Sequence, residues 1–240
     1  ACQTVLLGDC DVTLPETRPM EQIEVETTAS LEAAHPMSGK NGAAIDIGTT
    51  TLALKLFRLD SGHELGGAAM LNPQTAVAAD VMGRIGAAMN GRQEELRRQV
   101  TGAIETLLGE AAQKSGISPE TVDPLVMTGN TTMLYLLTGR NPESLSHAPF
   151  DADCLYGNWT PLMGRHVYLP PCMNAFVGAD ITCAALASGM CGRDEISLLI
   201  DVGTNGEIAL WKNGRLYVTS TAAGPAFEGS GIHRGCGSVR

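Results

Sequence analysis

The sequence has no cluster of lysines and arginines, and its 16 basic residues against 26 acidic ones leave a formal charge of −10. A phosphate backbone is held by such clusters, so the balance argues against nucleic acid as a partner. No apolar run approaches the roughly 18 residues of a membrane-spanning helix, and the first residues lack the basic and apolar segments of a secretion signal. A cytoplasmic protein without a membrane is therefore expected. The seven cysteines, Cys2, Cys10, Cys154, Cys172, Cys183, Cys191 and Cys236, are odd in number and form no CxxC pair. They read as free thiols of a reducing compartment and supply no cluster motif. His147 and His166 stand at no metal-ligand spacing from a second His or Cys and receive no role. An initiator methionine is also missing, since the chain opens Ala1-Cys2-Gln3, and a longer natural polypeptide is expected.

What is present is a globular composition, 44% hydrophobic and 18% charged over 240 residues, enough for one or two domains. Its central stretch runs from Ala43 to Leu56, AAIDIGTTTLALKL. Ala43, Ala44, Ile45 and Ile47 suit a strand covered on both faces. Asp46 interrupts them, and a carboxylate in such a run needs a cation or several donors. Gly48 lets the backbone turn near a ligand, while Thr49, Thr50 and Thr51 offer hydroxyls and amides to anionic oxygens. One DxGT turn is equally an ordinary hairpin. A second copy, LLIDVGTNGEIAL at Leu198 to Leu210 with Asp201, Gly203, Thr204 and Asn205, favours the phosphate reading. Two related hairpins imply two lobes holding one polyphosphate and its divalent metal between paired aspartates.

Residues 1–40 are acidic and proline-bearing and read as a linker with one or two strands, such as Gln22 to Thr27, and not as a full domain. A third strand is expected near Glu64 to Leu71, ended by Asn72-Pro73-Gln74. Ala78 to Met89 reads as a helix on which Asp80 and Arg84, four apart, suit a surface ion pair. Arg92 to Ser115 is the clearest helix, with Leu96, Val100, Ile104, Leu107, Leu108 and Ala111 on one stripe. Leu125 to Thr128 is a strand, and Asn130 is read as the N-cap of a helix over Thr131 to Thr138, with a ligand or partner role as the alternative. The five prolines of residues 139–171 predict long loops. Asp180 opens a helix over Ile181 to Met190. It reads either as a capping carboxylate kept ionised by the helix dipole or as the group that orients or deprotonates the attacking water or hydroxyl. After a strand at Leu216 to Thr221, a glycine-rich turn spans Gly224 to Gly229, and the chain stops at Arg240 without a helix to cover the second hairpin.

Six runs, DIGTTT, NPQ with ADVMGRI, TGNTTM, LPP with FVGAD, DVGTNGE and GPAFEG, occur in an order that resembles the actin-like ATPase superfamily. Within it, the resemblance is to the reductive activators of corrinoid-dependent enzymes. The resemblance implies an α/β, actin-like (RNase H-like) fold with duplicated mixed-sheet lobes and flanking helices. Its first lobe would span 41–195 and an incomplete second one 196–240. It implies ATP and Mg²⁺ as cofactors and a corrinoid protein as partner, reduced from cob(II)alamin to cob(I)alamin at the expense of ATP. By position Asp46 and Asp201 would organise the metal and its waters, Gly48, Thr49, Thr50, Thr51, Gly203, Thr204 and Asn205 would hold phosphates, and Asp180 would face the γ-phosphate. An iron–sulfur cluster is expected only in a domain outside this chain, and the sequence leaves open whether a homodimer forms. Two other classes compete: a small-molecule kinase using Asp180 on a substrate hydroxyl, and a nucleotide-gated scaffold or chaperone. Activators of 2-hydroxyacyl-CoA dehydratases rank lower, because no matching cysteines stand in the lobe.

Overall fold

The computed structural model describes residues 40–203 and 205–221. The expected strand at Gln22 to Thr27, nearly all of the acidic linker, Thr204 and the turn at Gly224 to Gly229 lie outside the described residues. Strands β1 (Asn41–Ile47), β2 (Thr51–Arg58) and β3 (His63–Leu71) form an antiparallel meander. Helices α1 (Val81–Ala87) and α2 (Gln93–Lys114) follow, joined across a kink where Asn90 and Gly91 leave helical angles. Strand β4 (Val122–Gly129) then lies parallel to β1, and α3 (Thr131–Thr138) leaves its end. Strands β5 (Asn158–Leu162) and β6 (Arg165–Leu169) complete a mixed sheet of order β3-β2-β1-β4-β6-β5. Helix α4 (Ala179–Ala187) leads to a second sheet of β7 (Ser197–Val202), β8 (Gly206–Lys212) and β9 (Arg215–Thr221).

One core joins the first sheet to α2 and α3. All six residues of the expected α2 stripe are buried in it, together with Ile45, Ile47, Leu52, Leu54 and Leu56. Burying a Leu or Ile side chain contributes about 1.5–3 kcal/mol, so this face anchors the lobe. The opposite face of β1 is different: Ala44 and Asp46 are exposed. Among the described residues the strand is therefore covered on one side only, and the alternation of buried and open positions that follows is what lets Asp46 open from a strand end.

Two further expectations fail. The proline-rich 139–171 segment contains the β5–β6 hairpin, in which Pro161 is tolerated because β5 is an edge strand and needs no donor on its outer side. Asp80 and Arg84 form no surface ion pair. Asp80 instead caps α1, accepting the Gly83 amide at 2.7 Å, which starts the helix three residues later than expected. Arg84 is fully buried. Among the described residues no helix is long and apolar enough to cross a membrane.

Candidate functional site

Strands β1 and β4 run parallel with Asp46 opposite Thr128 and Ile47 opposite Gly129, so the β1–β2 turn and the N-terminus of α3 meet at one end of the sheet. Ends of parallel strands are where α/β sheets place ligands. The turn Gly48–Thr51 is tight: a Cβ on Gly48 would meet the Thr51 carbonyl oxygen at 2.6 Å. Asn130 caps α3, as expected, by accepting the Met133 amide at 3.0 Å, and its other side-chain atom donates to Thr49 Oγ1 at 3.0 Å. The helix cap and the phosphate-type turn are thus one structure.

Gly178 brings α4 to this place. A side chain there would collide with Asn130 Cα at 2.4 Å and the Gly129 carbonyl oxygen at 2.6 Å, so only glycine permits the approach. The first turn of α4 then carries Asp180, whose Oδ1 accepts the Ile181 amide at 2.8 Å. Gly178, not Asp180, occupies the N-cap. On its other side α4 docks the second sheet through Val177, Ile181 and Ala209, with Leu199, Leu216 and Val218 packed around them. That contact sets the β7–β8 turn, closed by a bond from the Gly203 amide to the Asn205 carbonyl at 3.0 Å, across from the first turn.

Between the two turns lies a cavity of about 350 Å³ lined by Asp46, Gly48, Thr49, Thr50, Thr51, Asn130, Asp180, Asp201, Gly203, Asn205 and Glu207. Every expected site residue except the undescribed Thr204 lines it. The four carboxylates in this lining share one field. Asp46 opens to the cleft, yet the surrounding protein together with Asp180 and Asp201 raises its carboxyl from 3.8 to about 6. Asp180 is also raised, by burial first and by Asp201, against the opposing pull of the Ile181 amide. The favourable pull of the helix N-terminus is present in the backbone bonds it accepts, and desolvation with a like charge outweighs it.

Glu207 is the residue that sequence reasoning missed. It is buried, receives a hydrogen bond from Ser220 Oγ at 3.2 Å, and is pushed from 4.5 to about 7 by burial and by Asp180. A signal existed, because the hairpin pairs Glu207 directly opposite Asp201. Among the described residues no three His, Cys, Asp or Glu side chains converge to cage a metal. The donor set instead fits an ion such as Mg²⁺, which keeps several waters and meets protein through one or two carboxylates and the substrate's phosphates. Mutually repelling carboxylates beside glycine–threonine turns are the setting that such a cation relieves.

Residues 41–193 match the family model of the RACo middle region, and residues 195–239 match that of the C-terminal domain of RACo, the ASKHA domain. The chain belongs to the RACo family. The fold is that of the actin-like ATPases. Over 206 residues the chain is 39% identical to a corrinoid activation enzyme, RamQ, of Eubacterium limosum, covering 81% of this chain and 34% of that protein. Over 212 residues it is 27% identical to a [Co(II) methylated amine-specific corrinoid protein] reductase of Methanosarcina barkeri, covering 81% of this chain and 38% of the other. A solved reductive activator for corrinoid, iron–sulfur protein superposes with a TM-score of 0.76 at 36% identity, covering 81% of this chain and 33% of that one. The chain thus spans little more than a third of the length of the curated relatives it matches.

Proposed function

We propose that these residues form the nucleotide-binding part of a reductive activator that returns a corrinoid protein from cob(II)alamin to cob(I)alamin with the help of ATP. The observation that carries the reading is the meeting of two DxGT-type turns, far apart in sequence, across one cavity with Asp180 between them. The RACo membership and the relatives named for corrinoid activation support the choice of partner. We place the boundary between the two lobes at about residue 195.

Gly48 to Thr51 and Gly203 to Asn205 would receive the phosphates through amides and hydroxyls, and Asp46 and Asp201 would hold the waters of Mg²⁺. When bound, the metal neutralises charge on the phosphate oxygens. Asp180, raised in pKa and held at a helix N-terminus, would accept a proton from, or orient, the water that attacks the terminal phosphorus. Because α4 touches both β4 and the second sheet, a change in the phosphates would be felt by both lobes at once. Reorientation of the lobes would alter the docked corrinoid protein, and one electron from a low-potential iron–sulfur donor outside this chain would reduce Co(II) to Co(I).

The intact protein would be assayed for phosphate release with a cob(II)alamin-loaded corrinoid protein, while the corrinoid absorbance is followed under a low-potential reductant. The expected result is ATP turnover stimulated by the corrinoid protein and ATP-dependent loss of the Co(II) band. Turnover stimulated instead by a small metabolite, with a phosphorylated product, would establish a kinase and overturn the reading.

A further inference from the structure

Arg84 is the largest fully buried side chain in the described structure, with no exposed surface. Its Nε donates to the Ala78 carbonyl at 3.0 Å, Nη1 to Gln74 Oε1 at 3.2 Å with Met133 Sδ also at 3.2 Å, and Nη2 to the Thr49 carbonyl at 2.5 Å. Every one of these partners is neutral, and none of the ion pairs among the described residues involves Arg84. Asp80, on the preceding turn, acts on it only at longer range and already accepts the Gly83 amide. Burial draws the guanidinium down only to about 10, so it stays charged at neutral pH. Burying a charge without a directly bonded counter-ion is costly, which demands a reason for keeping one here.

The reason lies in front of it. Arg84 holds the Thr49 carbonyl from behind, and Asn72 Nδ2 holds the Gly48 carbonyl at 2.8 Å. In a planar trans peptide the carbonyl and the following N–H point in opposite directions. Pulling both carbonyls back therefore turns the Thr49 and Thr50 amides away from Arg84, toward the side on which the turn lines the cavity. Gln74 extends the brace by donating to the Leu96 carbonyl at 2.9 Å, and the Asn72 amide donates to the Thr50 carbonyl at 2.7 Å. We infer that Arg84 is a positioning residue of the polyphosphate site: it fixes the amides of the first turn, and its unneutralised charge, one peptide behind them, is matched by the phosphates of the ligand. The inference rests on the nucleotide reading above and goes beyond it by naming where the balancing positive charge of the site resides.

The test is calorimetric titration of the intact protein and its Arg84→Met and Arg84→Lys variants with ATP and with ADP, each with Mg²⁺, alongside thermal unfolding with and without nucleotide. Arg84→Met is expected to weaken ATP binding by about 10- to 100-fold, the range for a lost interaction with a charged group, and ADP binding by less. Arg84→Lys is expected to recover most of the difference between ATP and ADP, since it keeps the charge but not the fork. Equal losses for ATP and ADP, or no loss, would overturn the inference, whereas failure of the wild-type protein to bind either nucleotide would overturn the nucleotide reading itself. If neither variant folds, the Arg84 Nε–H resonance of the wild-type protein decides: a shift on adding ATP supports the inference, and none refutes it.

Discussion

The β1–β2 and β7–β8 hairpins share a sequence pattern, an aspartate ending an apolar strand and a glycine–threonine turn, yet different surroundings hold them. Behind the first stand Arg84, Asn72, Gln74 and Met133, all buried, and the strand before it packs Ala43, Ile45 and Ile47 into the main core. Among the described residues the second is positioned by the cluster that Val177, just before α4, and Ile181 of α4 form with Ala209 of β8, while Leu198, Ile200 and Val202 on the other face of β7 are exposed. The first turn is braced from behind by packed groups, and the second is placed by how a sheet sits on a helix. Under the proposed nucleotide reading, motion would accordingly be easier on the second side, where fewer packed groups must move.

Asp180 serves both hairpins from between them, raising the carboxyls of Asp46 and Glu207 alike. Its replacement has the largest expected effect. Asp180→Asn is expected to lower the kcat for ATP hydrolysis by about 10²- to 10⁴-fold, the usual range for a general base, with little change in KM. The melting temperature should hold or rise, because one of several repelling carboxylates has gone. A fall in kcat accompanied by loss of folding would assign Asp180 to the structure instead of the chemistry.

The comparison is tested most directly at its two glycines. A methyl on Gly48 would press on the Thr51 carbonyl at 2.6 Å, whereas on Gly203 it would find, among the described residues, nothing nearer than the Asn205 carbonyl at 3.7 Å. Gly48→Ala is expected to destabilise the protein by about 1–3 kcal/mol, the cost of overpacking against backbone. Gly203→Ala should stay within about 0.5 kcal/mol, as a change with room around it does. Urea unfolding of the two variants measures both, and equal costs would mean that the two turns are equally constrained.

Much of this could be read from the chain. The period of Leu96, Val100, Ile104 and Leu107 is a local property, and so are the cap at Asn130 and the strand ends at Asp46 and Asp201; each follows from neighbours within a turn or two. The brace behind the first turn could not be read in this way. Asn72 reaches Gly48 from 24 positions away and Arg84 reaches Thr49 from 35, with Gln74 bonded to both, and nothing in NPQ or ADVMGRI taken alone distinguishes such a bond from a turn residue or a surface charge. The β5–β6 hairpin was obscured for the opposite reason. Its prolines are a genuine local signal against strands, and only the place of β5 at the sheet edge cancels it. Glu207 lies between these cases, since pairing the DVGTNGE turn on paper sets it opposite Asp201.

The smallest expected effect separates the hairpins by pH. Asp46 rises from 3.8 to about 6 and Glu207 from 4.5 to about 7 on folding. A carboxyl raised in this way binds its proton more tightly in the folded chain, so its contribution to folding is fully present below the unfolded value and is lost as pH rises through the folded one. Stability of the nucleotide-free protein should therefore decline between about pH 4 and pH 7 through these two groups, with Asp180 acting in the same direction. Asp46 opens to the cleft, and solvent screening keeps its share small. On the proposed function, magnesium and phosphate would reverse the sign, because the metal is favoured by ionised carboxylates. The rise in melting temperature produced by Mg²⁺ and ATP should grow across the same interval. Asp46→Asn should remove the part of the profile near pH 6 and Glu207→Gln the part near pH 7, which thermal unfolding over a pH series resolves. A profile that moved equally in both variants would mean that Asp46 and Glu207 titrate as one group and that the two hairpins, however differently supported, are electrostatically a single site.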